Sequence, residues 1–473
     1  MIGAVARREL LLQFRDGRLV LAGGVLLAAM AAAALAGWTQ FDRAERERAH
    51  FVAAARSQWL NQGERHPHRA AHFGAYVAKP ELSLALFEPG LRPFAGQTLW
   101  LEAHDRPVFA NIPSEDDLTL STGLGVASGS AILQILGGLL ALAMGALSIV
   151  RERETGVLRQ VLAQGVSPRA WVTGKFIGLA AALAMPVIAS GLLATAGAAI
   201  ASAPAQRFDV VLRAAVLIAA DALLLGALLA VGLAISALAR SSRAALMAAL
   251  AVWVGGFVLA PRAAATMSEQ LAPTPTMEAY RKASSAEFSE GFDARGGYDA
   301  QLKALEASTL RQFGVQRLED VRTGFSGLRM KHMDAWSTEV DDRQYARLVQ
   351  VYERQSAIRL ALASAAPFIA ARGVSQGMAG MDWAHYRDFL EKAEAYRRAF
   401  GRQMNTLLQN GVRGDRWEMD GDRDDWAKVA AFQYRMPGVG WAITRQAPFL
   451  LVLAAWALAA AALLALAATR LKP

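Results

Sequence analysis

The chain has 473 residues, a net charge of +9, 54% hydrophobic residues and 19% charged residues. The apolar residues form long blocks with basic residues beside them, which favours a membrane protein in contact with anionic lipid over a nucleic-acid-binding protein. The absence of cysteine excludes disulfide bonds, thiolate metal sites and cysteine nucleophiles.

The N-terminal residues 1–18 predict an amphipathic helix on the inner membrane surface, because apolar residues alternate with Arg7, Arg8 and Arg15 at helical spacing. An apolar block at 19–38 follows and predicts the first span. A cleavable signal peptide is the alternative, since Ala34-Leu35-Ala36 resembles a cleavage site. The block is longer than the apolar part of a signal peptide, which favours a span.

Five further apolar blocks predict five more spans, because about 20 residues are needed to cross a bilayer. These blocks are residues 128–150, 176–200, 210–238, 244–261 and 447–468. The fourth span, 210–238, is long enough to be tilted or to protrude. The predicted fold class is therefore an α-helical integral membrane protein with six transmembrane helices.

Basic residues next to the spans predict the orientation, because Lys and Arg concentrate in short cytoplasmic loops. One set of flanks contains Arg7, Arg8, Arg15, Arg18, Arg151, Arg153, Arg159, Arg169, Lys175, Arg240, Arg243, Arg470 and Lys472. The short loop on the other side, 201–209, contains only Arg207. We therefore predict that both termini are cytoplasmic and that two large segments lie outside.

The first large segment, 39–127, begins as a charged helix and becomes rich in Gly, Pro and His. The second large segment, 262–446, is predicted to be mainly helical. In its stretches 298–313, 343–365 and 382–408 apolar residues recur at intervals of three and four. Each large segment is predicted to be a periplasmic domain.

The loop between the second and third spans, 151–175, is short and charged, and the spacing of its residues is typical of a helix. Its stretches Glu152-Arg153-Glu154-Thr155-Gly156, Gly165-Val166-Ser167-Pro168 and Gly174-Lys175 resemble the first cytoplasmic loop of the ABC-2 family of ABC-transporter permeases. Residues 59–80, 96–104 and 380–389 resemble a bacterial subfamily of these permeases with large periplasmic domains. The resemblance covers nearly the whole chain and indicates an architecture but no substrate.

The resemblance implies that the loop 151–175 docks on a separate ATPase subunit. The residues it assigns to coupling are Arg151, Glu152, Arg153, Glu154, Thr155, Gly156 and Leu158. A solvated loop whose arginines only set the orientation is the alternative. The chain contains no phosphate-binding G-x-x-x-x-G-K-[ST] motif and no H-E-x-x-H motif. The chain is therefore predicted not to be an enzyme itself, with ATP and Mg²⁺ bound by the partner.

The expected complex is an exporter in the bacterial inner membrane, with a second permease copy or a paralogue and two ATPase copies. The large segments would receive substrate or pass it to a periplasmic or outer-membrane partner. One alternative is a permease that handles metal or a cofactor in the periplasm. Another is a scaffold or sensor that transports nothing, which would have no ATPase partner.

Histidines of the first large segment form a candidate metal site, because imidazole together with carboxylate suits zinc or copper. The candidate ligands are His66, His68, His72 and His104, with Glu64 and Glu102 as available carboxylates. The spacing H-x-H-x-x-x-H matches no standard closed site. Hydrogen bonding within a small domain rich in Gly and Pro is the alternative.

Asp221 lies about midway along the fourth span, where a carboxylate usually faces a protein interior or an aqueous path. Arg213, two turns earlier, is either its partner or extends to the outer interface. The functional hypothesis is a group on a substrate or proton path. The alternative is a hydrogen bond between helices that fixes their packing.

Overall fold

Helices form most of the chain, which the computed structural model describes for residues 1–108 and 128–471. The first elements are α1 (Ile2–Arg15), α2 (Arg18–Leu60), α3 (Pro67–Phe73), β1 (Ala75–Ala78), α4 (Arg92–Ala95), β2 (Thr98–Leu101), α5 (Gly129–Ser148), α6 (Val150–Glu154), α7 (Val157–Ala163), α8 (Pro168–Ala201) and α9 (Arg207–Leu238). The two strands pair antiparallel, with Ala75 opposite Leu101.

The second half of the chain is also helical. Its elements are α10 (Ser242–Val254), α11 (Ala260–Leu271), α12 (Met277–Glu290), α13 (Tyr298–Phe313), α14 (Phe325–Ala363), α15 (Pro367–Ala379), α16 (Trp383–Gly411), α17 (Arg423–Ala427) and α18 (Val439–Thr469). A π-helical turn, Gly255–Leu259, joins α10 to α11. This turn lets the helix continue through Pro261, which has no backbone N–H to donate.

Six helical stretches of the described residues are long and apolar enough to cross a membrane, which confirms the predicted number of spans. They are Val20–Leu60, Gly129–Glu154, Pro168–Ala201, Pro204–Leu238, Ser242–Leu271 and Val439–Thr469. The first helix continues far beyond the apolar block at 19–38. At 1.5 Å per residue, α2 is roughly 65 Å long and its charged second half extends beyond a bilayer core of about 30 Å.

Close packing of α5 on α9 forms the centre of the bundle, where α9 also contacts α8 and α18. Glycines allow this approach. A Cβ at Gly145 would lie 2.7 Å from the carbonyl oxygen of Leu229, and one at Gly232 would lie 2.6 Å from that of Leu142. Small residues at such crossings let helix backbones touch, which is how helices associate in lipid.

Gly232→Ala is expected to destabilise the protein, because the added methyl group meets backbone atoms that cannot rotate away. Overpacking of this kind costs about 1–3 kcal/mol. Gly226→Ala on the same helix is the matched control, since a Cβ there has nothing within 4 Å. Thermal unfolding of both variants in detergent checks the difference. Equal melting temperatures would contradict the close α5–α9 contact.

The short helix α15 packs between the spans. Its 13 residues are too few to cross a bilayer. Nearly all of its residues are buried, and it packs on α9 and α18. Gly373 and Gly377 face Phe449 and Gln446 of α18, where a Cβ would approach the side chains to 2.9 and 2.3 Å. Span six is therefore in direct contact with the second large segment.

The two large segments share buried apolar clusters, so they pack against each other as one body. Trp59, at the end of α2, contacts Phe400 of α16 and Trp426 of α17 edge to face. The indole nitrogen of Trp59 donates to the Trp426 carbonyl at 2.9 Å, and that of Trp426 donates to Gly63 at 3.0 Å. We call this packed body the head; it comprises the described residues of both large segments apart from α15.

Two of the stretches that resemble the permease subfamily meet in the head. Lys79 is fully buried and its Nζ donates to the carbonyl of Gly380 at 3.0 Å. Burial lowers the pKa of Lys79 to about 8. Asp382 accepts from the His385 backbone at 3.1 Å and from Gln446 of α18 at 2.7 Å. Residues 59–80 and 380–389 are therefore in direct contact in the head.

Candidate functional site

The charged segment between the second and third spans folds as two short helices, α6 and α7. The junction of α5 and α6 is fixed on α9, because the N–H groups of Ile149 and Val150 both donate to Ser236 Oγ at 2.9 Å. Gly156 separates the two helices with a φ of 77°, a conformation that favours glycine. We call residues 150–167 the coupling segment.

Arg153 binds the end of α9. Its guanidinium donates to the carbonyls of Ser236 at 3.3 Å and Ala237 at 2.6 Å, and also to that of Ala239. The last carbonyls of a helix have no partner within the helix and carry partial negative charge. Arg153 therefore satisfies these groups and attaches the coupling segment to span four.

Glu154 binds the beginning of α10. One carboxylate oxygen accepts from the Ser242 backbone N–H at 2.7 Å, and the other accepts from the Ser242 hydroxyl at 2.6 Å. A negative charge is favourable at this positive end of a helix. The adjacent residues Arg153 and Glu154 therefore hold both sides of the turn between spans four and five.

Glu152 belongs to a buried ionic network around Lys175, which is only 1% exposed. The Lys175 ammonium lies 2.7 Å from a Glu9 oxygen and 3.1 Å from a Glu152 oxygen. Arg8 contacts Glu152 at 3.3 Å. The indole ring of Trp171 lies beside both cations. This network connects α1 and α8 to the coupling segment.

The N-terminal helix α1 lies across α8 at two glycines. A Cβ at Gly174 would lie 2.6 Å from the Val5 side chain, and one at Gly178 would lie 2.5 Å from the Ala6 carbonyl oxygen. This contact brings Glu9 to Lys175 and fixes α1 beside the coupling segment. Glu9 was not among the predicted site residues, although a carboxylate on the apolar face of an amphipathic helix is a signal for a buried partner.

Helix α7 has one buried side and one exposed side. Leu158 is 1% exposed and packs inward. The neighbouring residues Arg159, Gln160, Ala163 and Gln164 are exposed, and we call these four the α7 face. Thr155 is exposed as well, but its hydroxyl donates to the Arg151 carbonyl at 3.0 Å. The residues predicted to couple were Arg151 to Gly156 and Leu158, and they did not include this face.

A family model described as ABC-2 family transporter protein matches residues 4–384. The chain belongs to this family. The match includes most of α1, the coupling segment and five of the six candidate spans. A comparison with curated proteins returned no match. Membership confirms the predicted family and a multi-pass membrane protein, and it implies a partner ATPase subunit and contact with membrane lipid.

This ABC-2 protein does not pair Arg213 with Asp221, although both lie on α9. Arg213 is fully buried and donates to Asp209 at 2.6 Å, to the Met378 carbonyl at 3.2 Å and to the Pro437 carbonyl. Asp209 in turn accepts from the Val439 backbone N–H at 2.6 Å, where α18 begins. Arg213 thus joins span four to α15 and to span six, so its contacts are structural.

Asp221 contacts span two instead. Its Oδ1 accepts from Gln134 on α5 at 2.8 Å, and Gln134 also donates to Ser130 at 3.1 Å. Within the described residues the second carboxylate oxygen has no hydrogen-bond partner, and a void of about 10 Å³ adjoins the residue. The hydrogen bond to Gln134 joins span four to span two, as the packing alternative expects.

The histidines predicted as metal ligands divide into three that converge and one that does not. His68, His72 and His104 offer nitrogens that all lie within 4.8 Å of one another. His66 instead stacks on Trp417, and its Nδ1 accepts from the His68 N–H at 3.1 Å as the cap of α3. Burial, reinforced by the neighbouring imidazoles, lowers the pKa of His68 to about 4.

Proposed function

We propose that this chain is the permease subunit of an ATP-driven ABC transporter in the bacterial inner membrane, with a separate ATPase bound at the α7 face. One observation carries the proposal: the adjacent residues Arg153 and Glu154 hold the two sides of the α9–α10 turn. A displacement of the coupling segment is thereby transmitted to spans four and five together.

Motion would begin at the α7 face when the ATPase closes. Gly156, between α6 and α7, is the natural hinge because glycine tolerates its backbone conformation. Arg153 and Glu154 carry the displacement to α9 and α10, and the Lys175 network carries it to α8 and α1. Four helices therefore respond to one docking event.

We further propose that both termini and the coupling segment are cytoplasmic and that the head lies in the periplasm. The distribution of basic residues supports this orientation. Export is the proposed direction, by analogy with the family rather than from a contact in this chain. In that arrangement the head covers the outer end of the path and passes substrate to a periplasmic or outer-membrane partner.

A second permease copy or a paralogue would complete the pathway. Only 22% of the most apolar window of spans one and five is buried, and 17% of that of span six, against 61% for span four. The first, fifth and sixth spans therefore expose the apolar surface that lipid and a second permease would cover.

Co-expression of the chain with its neighbouring genes, followed by purification in detergent, tests the proposal. We expect an ATP-binding subunit in stoichiometric amount, with ATP hydrolysis that depends on the permease. Purification of the chain without any nucleotide-binding subunit would contradict the proposal and favour the scaffold or sensor.

The orientation can be tested separately, because the natural chain has no cysteine and a single introduced thiol is unambiguous. We expect an impermeant maleimide to label Ser285→Cys in cells whose outer membrane is permeabilised. Gln164→Cys should be labelled only after the inner membrane is lysed. The reverse labelling pattern would contradict the proposed topology.

A further inference from the structure

We propose that His68, His72 and His104 bind one divalent transition-metal ion of the zinc and copper class in the head. The three imidazoles come from two elements. His68 and His72 lie one turn apart on α3, a spacing that puts both on one helix face. His104 follows β2 and approaches them from the neighbouring loop.

The distances fit a metal site. The Nε2 atoms of His68 and His72 are 3.1 Å apart. Metal–nitrogen bonds of about 2.0–2.1 Å in a tetrahedral site separate two ligand nitrogens by about 3.3 Å. The ligand nitrogens of His68, His72 and His104 all lie within 4.8 Å of one another.

In two of the imidazoles a carboxylate lies next to Nδ1, the ring nitrogen that the ion does not need. His72 Nδ1 is hydrogen-bonded to Glu102, and His104 Nδ1 lies 3.5 Å from Asp334. Metal-binding histidines characteristically donate their other N–H to a carboxylate, which fixes the tautomer and leaves the Nε2 lone pair for the ion. Both imidazoles therefore turn Nδ1 toward a carboxylate, which leaves Nε2 as the atom available to the ion.

The carboxylates are themselves held in position. The second oxygen of Glu102 accepts from the backbone N–H groups of His104 at 2.8 Å and Asp105 at 3.1 Å. Asp334, on α14, is hydrogen-bonded to Asn405 of α16. The support for His104 thus comes from the second large segment, so an ion bound here also strengthens the contact between the two segments of the head.

Three histidines leave a fourth coordination position for water or another ligand, the arrangement of an exchangeable rather than a closed site. His104 and Glu102 also line a cleft of about 720 Å³ between the two segments. The cleft provides the entry path. Nitrogen ligands without thiolates or thioethers favour zinc and Cu²⁺ over the softer Cu⁺.

Metal titration of the full chain tests the inference. The protein is purified with a tag that contains no histidine, stripped with EDTA and titrated with Zn²⁺ and with Cu²⁺ against a chromophoric chelator. We expect about one equivalent of at least one of these ions per chain. His72→Ala should weaken binding by at least 100-fold. Glu102→Gln should weaken it about 10–100-fold, the usual effect of losing such a support.

The matched control is His50→Ala, which removes an exposed histidine of α2 outside the cluster and should leave the affinity unchanged. Absence of binding of both ions to the natural chain overturns the inference. Equal affinity in His72→Ala overturns it too, since the ion then binds elsewhere and the cluster is only hydrogen-bonded.

Should His72→Ala fail to fold, the natural chain loaded with Co²⁺ decides the question. A tetrahedral nitrogen site gives an intense visible absorption band, and the weak band of hydrated Co²⁺ would contradict the site. These assays use neither ATP nor an ATPase, so their failure is independent of the proposed transport function.

Discussion

Lys175→Met is expected to destabilise the protein by about 3–5 kcal/mol, because it leaves the buried Glu9 carboxylate without its closest cation. The ammonium of Lys175 also donates to the Ser148 carbonyl at 3.2 Å, so the loss extends to span two. Thermal unfolding in detergent and the amount of folded protein in the membrane measure the effect.

A variant that lacks both charges distinguishes the contribution of the ion pair to stability from that of the surrounding packing. Glu9→Gln combined with Lys175→Met should recover most of the lost stability, since no uncompensated charge remains buried. Arg169→Met on the same helix is the control, because Arg169 is exposed and its loss removes the same charge. If the single variant Lys175→Met were as stable as the natural chain, the buried network would not join α1 to α8.

Arg153→Ala combined with Glu154→Ala is expected to uncouple ATP hydrolysis from the permease while the ATPase still binds. The double variant removes the hydrogen bonds that hold the α9–α10 turn and leaves the α7 face unchanged. ATP hydrolysis by the complex should fall to the rate of the ATPase alone. Hydrolysis and co-purification are measured on the same preparation.

The control for uncoupling is Arg243→Ala, which removes an exposed positive charge at the start of α10. It should retain both binding and permease-dependent hydrolysis. Loss of ATPase binding in the Arg153 and Glu154 variant would show that these residues dock the partner directly. Unchanged hydrolysis would contradict the transmission route from the coupling segment to spans four and five.

The number of spans could be predicted from the sequence, because a helix needs about 20 apolar residues to cross the bilayer and each apolar block has that length. The ends of the helices could not. The first helix continues from its apolar block through the charged residues to Leu60, since charge at helical spacing does not stop a helix. Helix α15 is almost entirely buried, and only tertiary packing determines that.

The charge of the loop 151–175 and its resemblance to the family led to the prediction of coupling, but the partners of its residues are remote in sequence. Arg153 binds carbonyls 83 to 86 positions away, and Glu154 binds Ser242, 88 positions away. Helical spacing alone suggested that Arg213 could reach Asp221. In the structure Arg213 donates to Asp209, one turn earlier on α9, and to the Met378 carbonyl of α15, whereas Asp221 accepts from Gln134 of α5.

The histidine site, too, could be predicted from the sequence only in part. Proximity in sequence grouped His66 with His68 and His72, but the direction of a side chain depends on its position at a helix end. His66 precedes α3 and caps it, whereas His68 and His72 lie inside the helix on one face. His104 joins them only because β1 and β2 pair.

Site-specific cross-linking from the α7 face tests the central claim most directly. Gln160→Cys in the chain that is otherwise free of cysteine, treated with a short bifunctional reagent in native membranes, should cross-link to an ATP-binding subunit. The yield should change when ATP is bound or hydrolysed, and Ser285→Cys in the head should give no such product. Absence of any cross-link from Gln160→Cys, with the ATPase present and the permease folded, would contradict docking at this face.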